Sequence, residues 1–401
     1  MSSLGCYIGS RSDKQSSVVL SSHRFLILGV SLCLTFSDTV YTGHNTEHEE
    51  SIFTTEDTVR FRVETVVSGL DVPWSIAFQG QHLYFTERGG KLWVLHKGER
   101  RPLLVSEIHE TYHNGEGGLM GLAFHPKFFD NDFLYLSYTY QTSDGSASNK
   151  VVRFRLVGKQ LQPEKTIVEN LPGAGIHNGC RIRFGPDGKL YITTGDAARR
   201  EIAQDMSSLG GKILRLNDDG TVPKDNPIQN SPIYSLGHRN GQGLDWHPVF
   251  NLLFETEHGP SGFDGPGGGD EINRVEPGRN YGWPTIHHKQ SADGLVSPLV
   301  EFTPALAPSG ASFCTGKRFP KFKGDFFVAT LRGKRLLRVR VDKETGKRIL
   351  GVEALLTDMF GRLRDIVEGP DGLLYFCTNN RDGRGTPGSD DDRILRLVPI
   401  D

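Results

Sequence analysis

One pattern recurs six times along this chain: a β-rich run ends in Thr or Ser, a turn follows, and a second run alternates apolar with basic residues. The copies are LYFTERGGKLWVL from Leu83, LYLSYTY with KVVRFRL ending at Leu156, and LYITTGD from Leu190 with KILRL ending at Leu216. They continue as LLFETEHG with DEINRV ending at Val275, FFVATLRGKRLLRVRV from Phe326, and LLYFCTNN with RILRLV ending at Val398. Three are approached through related segments: FHPKFFDNDFLY, FGPDGKLY and EGPDGLLY. Pro-Asp-Gly makes a tight turn because Pro presets φ and Gly tolerates positive φ. Each copy therefore reads as a small antiparallel sheet. Sheets about 50 to 75 residues apart, none able to bury both faces alone, pack best radially around a channel. The expected fold is all-β, a six-bladed β-propeller of four-stranded antiparallel blades. RFRVETVV from Arg60 is placed to pair with the last blade and close the ring. A β-sandwich is the architectural alternative, and six similar units argue against it.

The composition agrees: Gly 48 and Pro 21, with short apolar runs between them, fit many strands and turns. Lys plus Arg (46) nearly balances Asp plus Glu (48), so no global field draws the chain to nucleic acid or an anionic membrane. A small neutral substrate fits better. Cys6, Cys33, Cys180, Cys314 and Cys377 form no CxxC pair, which argues against a thiolate metal site and a disulfide framework.

Residues 1–58 read as a leader and polar linker, and 59–401 as one catalytic propeller domain. Phe25 to Phe36 (FLILGVSLCLTF) is apolar, follows Arg11, Lys14 and Arg24, and is short for a bilayer. That is the pattern of a signal-peptide h-region, with a disordered leader or a wrongly assigned start as the alternative. A cleaved leader implies a secreted or periplasm-like location and no membrane span in the mature chain.

Loops at one end of a propeller carry its chemistry. GIHNGCRIRFGPDGKLYITTGD sets His177 among glycines, with Arg181 after it and Asp196 beyond the next strand. Histidine exchanges a proton near neutral pH, and a neighbouring carboxylate tunes it; a structural loop histidine is the other reading. LGHRNGQGLDWHP crowds His238, Arg239 and Asn240 into a turn, where they can clamp an anion or cap their own backbone. In ETEHGPSGFDGPGGGDEINRVEPGRNYGWP, Asp264, Asp270, Glu271 and exposed carbonyls suit a hard cation, calcium first, although the spacing is not that of an EF-hand. Arg332, and Arg362 with Arg364 two residues on, add positive charge, the last two on one strand face.

From Phe61 onward the chain resembles the soluble quinoprotein glucose dehydrogenase and aldose sugar dehydrogenase family, which binds pyrroloquinoline quinone (PQQ). The resemblance rests on GEGGLMGLAFHPKF, HNGCR with TTGD, KILRLNDDGTVPKDNP, LGHRNGQGL, EHGP, GDEIN, GRNYGWP and RLRD, in the family's order. It implies that His177 is the base taking the proton of the sugar's C1 hydroxyl while hydride passes to the quinone C5. Asp196 would orient that base. Arg239, the third residue the resemblance places at the reacting centre, and Asn240 would meet the quinone oxygens. Arg332, Arg362 and Arg364 would hold the cofactor's carboxylates. Glu116 stands where the glucose-specific branch has a cofactor-contacting Gln, and Arg332 where it has Lys, which points to the broader aldose branch. The carbonyls of Gly259 and Pro260 would hold a calcium beside the cofactor, with a second calcium near Glu271 and Tyr281. The implied partners are an aldose and an external electron acceptor, for a monomer or homodimer. Two rivals differ in class: a non-catalytic extracellular propeller like Hedgehog-interacting protein, and a calcium-dependent lactone hydrolase. Neither needs His177, Arg239, Asn240, Arg332, Arg362 and Arg364 together.

Overall fold

The computed structural model describes residues 51–158 and 160–400; the leader reading lies outside them. Six sheets follow one another along the chain, each an antiparallel meander. Blade 1 runs Pro73–Gln79, His82–Glu87, Lys91–Leu95 and Leu103–Glu107. Blade 2 runs Leu119–Phe124, Phe133–Gln141, Ala147–Val157 and Gln160–Pro172, and blade 3 Gly179–Phe184, Leu190–Thr194, Lys212–Leu216 and Ile233–Leu236. Blade 4 is Gly241–Trp246, Leu253–Glu257, Asp270–Val275 and Val300–Phe302; blade 5 is Pro308–Phe313, Phe326–Thr330, Arg335–Val341 and Ile349–Leu355. Blade 6 takes Leu363–Glu368, Leu374–Thr378 and Ile394–Pro399 from the C-terminal end. The first strand of every blade packs on the first strands of both neighbours, so these strands line the channel and close a ring. Helix among the described residues amounts to three single turns, and none is long and apolar enough to cross a membrane.

The recurring sequence runs are the second and third strands of the blades, sandwiched between neighbouring sheets. LYITT of blade 3 and FFVAT of blade 5 are therefore buried at every position, on both faces of the strand. The Pro-Asp-Gly turns repeat one device in blades 3 and 6. Asp187 Oδ1 accepts the Lys189 N–H and its Oδ2 the Tyr191 hydroxyl; Asp371 does the same for Leu373 and Tyr375. Gly188 and Gly372 hold φ of +70° and +79°, the left-handed corner the turn requires.

Ring closure follows the expectation. Arg60–Val67 pairs antiparallel with Ile394–Pro399, matching Phe61 with Pro399, Val63 with Leu397 and Thr65 with Leu395. Strands from opposite ends of the described propeller thus share one blade. The fold also reaches into the stretch that composition marks as linker: Ile52–Thr54 adds a fifth strand outside Arg60–Val67. Asp57 there receives two bonds from the buried Arg338 of blade 5, at 2.7 and 2.9 Å. Composition missed this segment because its apolar run is only Ile52 and Phe53. The largest apolar cluster lies across the seam, joining Phe61 and Val67 to Ile76 and Phe85 of blade 1, Phe376 and Leu395 of blade 6, and Phe327 of blade 5. Phe61→Ala should therefore cost about 3–5 kcal/mol by leaving a cavity at the closure. A lowered midpoint in urea denaturation would show it, and an unchanged midpoint would remove the seam from its stabilising role.

Candidate active site

His177 sits in the loop that enters blade 3, in a left-handed conformation (φ 57°) that a non-glycine residue adopts only when its surroundings hold it. Three contacts hold it. Its backbone N–H donates to Glu116 Oε2 at 3.1 Å, and its carbonyl lies against Gly195 of TTGD. A Cβ on Gly195 would come within 1.9 Å of that carbonyl oxygen, so only glycine fits. The third contact is Asp196, whose Oδ1 lies 2.7 Å from His177 Nδ1.

Asp196 is fully buried and itself fixed, accepting the Ala198 N–H at Oδ1 and the Trp283 indole N–H at Oδ2. A carboxylate can only accept from Nδ1–H, so in the neutral imidazole this pair selects the tautomer that carries its lone pair on Nε2. His177 faces a cavity of about 370 Å³ at the mouth of the channel. Five arginines line it, Arg239, Arg332, Arg362, Arg364 and Arg384, against two carboxylates, Glu116 and Asp270.

These arginines differ in their partners. Arg239 donates to Asp264 Oδ2 at 2.7 Å, the His258 carbonyl and Ser261 Oγ. Arg362 donates twice to Asp382 Oδ2, and Arg384 to Glu116 Oε1 at 2.6 Å. Arg364 has no carboxylate contact; it meets Gln242 Oε1, Ser309 Oγ and Asn379 Oδ1. Burial brings its pKa down to about 10, so it remains charged at neutral pH. Arg332 is exposed at the rim. Burial alone would raise Glu116, but the Arg384 charge, with the hydrogen bonds from Arg384 and the His177 amide, outweighs it and brings Glu116 to about 2. Burial pushes His258 on the cavity wall down to about 4, keeping it neutral.

The cofactor expectation can be tested on polar atoms that lack partners. Arg364 Nε is a buried donor with no protein acceptor on a cavity wall rich in arginine, with the equally unpartnered Asn240 Nδ2 behind the wall and Arg181 Nη2 beneath it. Such a donor set fits a rigid polyanion bearing carbonyl and carboxylate oxygens, as PQQ is. Gly259 and Pro260 line the same cavity, and the Pro260 carbonyl accepts the Gly268 N–H.

A second cluster lies behind Arg239, between blades 3 and 4. Glu257 accepts the Arg239 N–H at Oε1 and bonds His238 Nδ1 at Oε2, 2.6 and 2.9 Å. Glu255 is 0% exposed; Asn273 Nδ2 bridges its Oε2 to Glu271 Oε2. Glu255 Oε1 and Asn273 Oδ1 are buried acceptors with no donor. Burial first, then the charge of Glu257, raises both Glu255 and Glu271 well above the usual carboxylate range. Oxygens of His238's neighbours Glu255 and Glu257 lie within 4.8 Å of its ring nitrogen, a spacing that suits a cation. Tyr281 stacks on His238 with ring centroids 4.8 Å apart, and its hydroxyl donates to the Arg274 carbonyl.

Of the residues singled out in the sequence, Glu116, His177, Arg239, Gly259, Pro260, Arg332, Arg362 and Arg364 meet on one cavity. Asp196 and Asn240 stand behind it, Asn240 Oδ1 taking the Gly179 N–H at 3.1 Å. Glu271 and Tyr281 belong to the second cluster. Asp264 and Asp270 do not present free oxygens to a cation: Asp264 serves Arg239 and Ser261, and Asp270 takes the Gly259, Leu306 and Ala307 amides. Arg181 is sealed below the cavity. Sequence reasoning passed over Gln242, His258, Phe263, Trp283, Asp382 and Arg384. The signal for Asp382 and Arg384 is RDGRG between the two runs of the last repeat, a charged, glycine-rich loop at the same blade edge as TTGD.

A six-bladed propeller with a carboxylate-fixed histidine in an arginine-lined mouth is thus the class that fold and site define. The Glucose / Sorbosone dehydrogenase family model matches residues 70–395, and the chain belongs to that family. The chain is 33% identical to aldose sugar dehydrogenase YliI of Escherichia coli (strain K12), over 80% of this chain and 91% of YliI. It is 34% identical to the aldose sugar dehydrogenase of Streptomyces coelicolor, solved in its PQQ-bound form, with TM-score 0.75 over 85% of this chain and 98% of that one. Quinoprotein glucose dehydrogenase B of Acinetobacter calcoaceticus is 32% identical over 56% of this chain and 53% of its own length.

Gly195→Ala tests the geometry directly. The intruding methyl should displace the His177 loop and lower stability by about 1–3 kcal/mol, read as a fall in thermal midpoint. A variant as stable as the parent would show that the His177 carbonyl does not need that approach.

Proposed function

We propose that this protein is a PQQ-dependent aldose dehydrogenase that oxidises the C1 hydroxyl of aldose sugars to the lactone and passes the electrons to an external acceptor. The observation that carries the reading is the pair His177 Nδ1–Asp196 Oδ1, which gives the neutral ring its lone pair at Nε2 beside a cavity lined by five arginines. PQQ-bound and quinoprotein relatives support it.

In this reading Arg332, Arg362 and Arg364 hold the cofactor's carboxylates, and Arg239 and Asn240 its quinone oxygens. Glu116 is the further cofactor contact, and it also holds the backbone of the base. The carbonyls of Gly259 and Pro260 hold calcium. When bound, PQQ supplies the two-electron acceptor, made more electrophilic by its calcium. The chain's own part is proton transfer. His177 Nε2 takes the C1 hydroxyl proton, and the Asp196 carboxylate stabilises the imidazolium that forms. Trp283 and the Ala198 amide keep Asp196 from rotating away. The excess of guanidinium charge, set in place before any ligand arrives, avoids reorganisation on binding.

The decisive assay is dye-linked oxidation of glucose or another aldose after adding PQQ and calcium. No turnover together with no cofactor-induced absorbance change would sink the reading. His177→Ala should lower kcat by about a thousandfold while cofactor titration stays near wild type. Unchanged turnover would take the base role away from His177.

A second calcium belongs to the reading, held by Glu271 with Glu255, Glu257 and Asn273, while Tyr281 packs behind His238. Calcium should raise the thermal midpoint of the cofactor-free protein, and a chelator should lower it. Glu255→Gln replaces a buried carboxyl that burial and Glu257 already resist ionising, so it should be as stable as the parent in chelator or more so, and should respond less to calcium. An equal calcium response in both proteins would count against the site.

A further inference from the structure

We propose that Phe263 is a specificity-determining residue, the apolar platform on which the sugar ring rests while its C1 hydroxyl meets His177 Nε2; this rests on the aldose reading above. Phe263 is 64% exposed, on the loop between Leu253–Glu257 and Asp270–Val275. A single exposed aromatic is ordinary, but this one is aimed. Its ring lies 6.0 Å from that of His177, with the planes 24° apart, and so screens one side of the base.

The loop is held in that position from below. Arg239, 1% exposed, donates to Asp264, Ser261 and the His258 carbonyl, and so grips the chain on both sides of Phe263. Arg200 donates to the Asp264 carbonyl from blade 3 at 3.3 Å. A ring fixed at both neighbours and left uncovered presents a preformed surface, with little ordering entropy to lose on binding.

Phe263 also divides two spaces. It lines the main cavity with His177 and Arg239, and it lines a side cavity of about 250 Å³ with Asp196, Ala198, Arg200, Glu201 and Asp264. A pyranose has an apolar C–H face and a hydroxyl-bearing edge. Phe263 matches the face, and the polar side chains that line the main cavity beside it match the hydroxyls. An open-chain polyol lacks that flat face and gains less from the platform.

The test uses the full chain loaded with PQQ and calcium. Phe263→Ala should raise KM for glucose about tenfold, the upper end of what one aromatic contact contributes, with kcat within about twofold. Cofactor titration should match the parent. Phe263→Trp should return KM towards the parent value, and Phe263→Leu, apolar but not flat, should not. A parental KM in Phe263→Ala would overturn the inference. So would a fall of kcat and cofactor affinity together, which would make Phe263 a support for the loop. A wild-type protein that oxidises no aldose would overturn the functional reading and this inference with it, whereas parental KM in an active Phe263→Ala overturns this inference alone.

Discussion

The structure turns on a buried ion pair that crosses its axis. Arg181 leaves the first strand of blade 3 and reaches Asp365 of blade 6 at 3.1 Å and Ser75 of blade 1 at 3.2 Å, while its Nε donates to the Gln242 carbonyl of blade 4. Four of the six blades are tied through one side chain. Both ions of the pair are almost completely buried, so the cost of removing one partner falls on an unsolvated charge. Asp365 also accepts the Ile76 N–H at 2.8 Å, which joins blade 6 to blade 1 near the ring's seam. Blade 5 makes room: a Cβ on Gly310 would lie 1.9 Å from Asp365 Oδ1. The indole of Trp74 lies under the Arg181 guanidinium at 4.3 Å, with Arg364 at 5.6 Å, so cation–π contact adds to the pair. Trp74 and Met120 reach the cavity above, and this packing is its floor.

That floor explains why the mouth is basic although the chain is nearly neutral. Two guanidinium groups, Arg181 and Arg364, share the Trp74 indole near the axis, and the carboxylate of Asp365 pairs with Arg181 alone. Around the rim the balance is closer, because Arg239, Arg362 and Arg384 each have a resident carboxylate in Asp264, Asp382 and Glu116. The uncompensated charge is therefore deep, where solvent screens it least. A ligand carrying several anionic oxygens gains most by reaching down to Arg364, whose Nε has no protein acceptor. The paired arginines then act through shape, since each is already held in one orientation. Glu116 joins the two levels by bonding both the Arg384 guanidinium at the rim and the backbone of His177.

Much of this was legible in the chain because a propeller repeats its most patterned part. The runs beginning at Leu83, Leu190 and Phe326 lie between sheets, so they show apolar continuity, and basic residues mark the adjacent strand. His177 and Asp196 could be paired because two antiparallel strands, Gly179–Phe184 and Leu190–Thr194, separate them and leave both at the same blade end. Contacts made across blades leave no such trace. Nothing in the spacing of Trp283 says that its indole bonds Asp196, a residue 87 positions away. Glu255 and Glu257 were visible only as part of a repeat. Their two-residue spacing on a strand puts both carboxylates on one face, a signal of the same kind that singled out Arg362 and Arg364. The fold's early start at Ile52 stayed hidden because a strand of three residues carries too little pattern to stand out from a polar stretch.

His238 and Arg239 adjoin in sequence but serve opposite chemistries, and this couples the two polar regions of blade 4. The His238 ring faces Glu257 and the acceptor-rich cluster, whereas the Arg239 side chain runs out to the donor-rich cavity and its loop. Glu257 holds both, with one oxygen on the His238 ring and the other on the Arg239 amide. Any charge placed among Glu255, Glu257 and Glu271 is therefore felt one bond away from the residue that positions Asp264 and, through it, Phe263. The strand Leu253–Glu257 transmits this rigidly, since it is buried along its whole length. Blade 4 thus ties the wall of the cavity to an ionic cluster outside it, and the coupling needs no moving part beyond the Arg239 clamp.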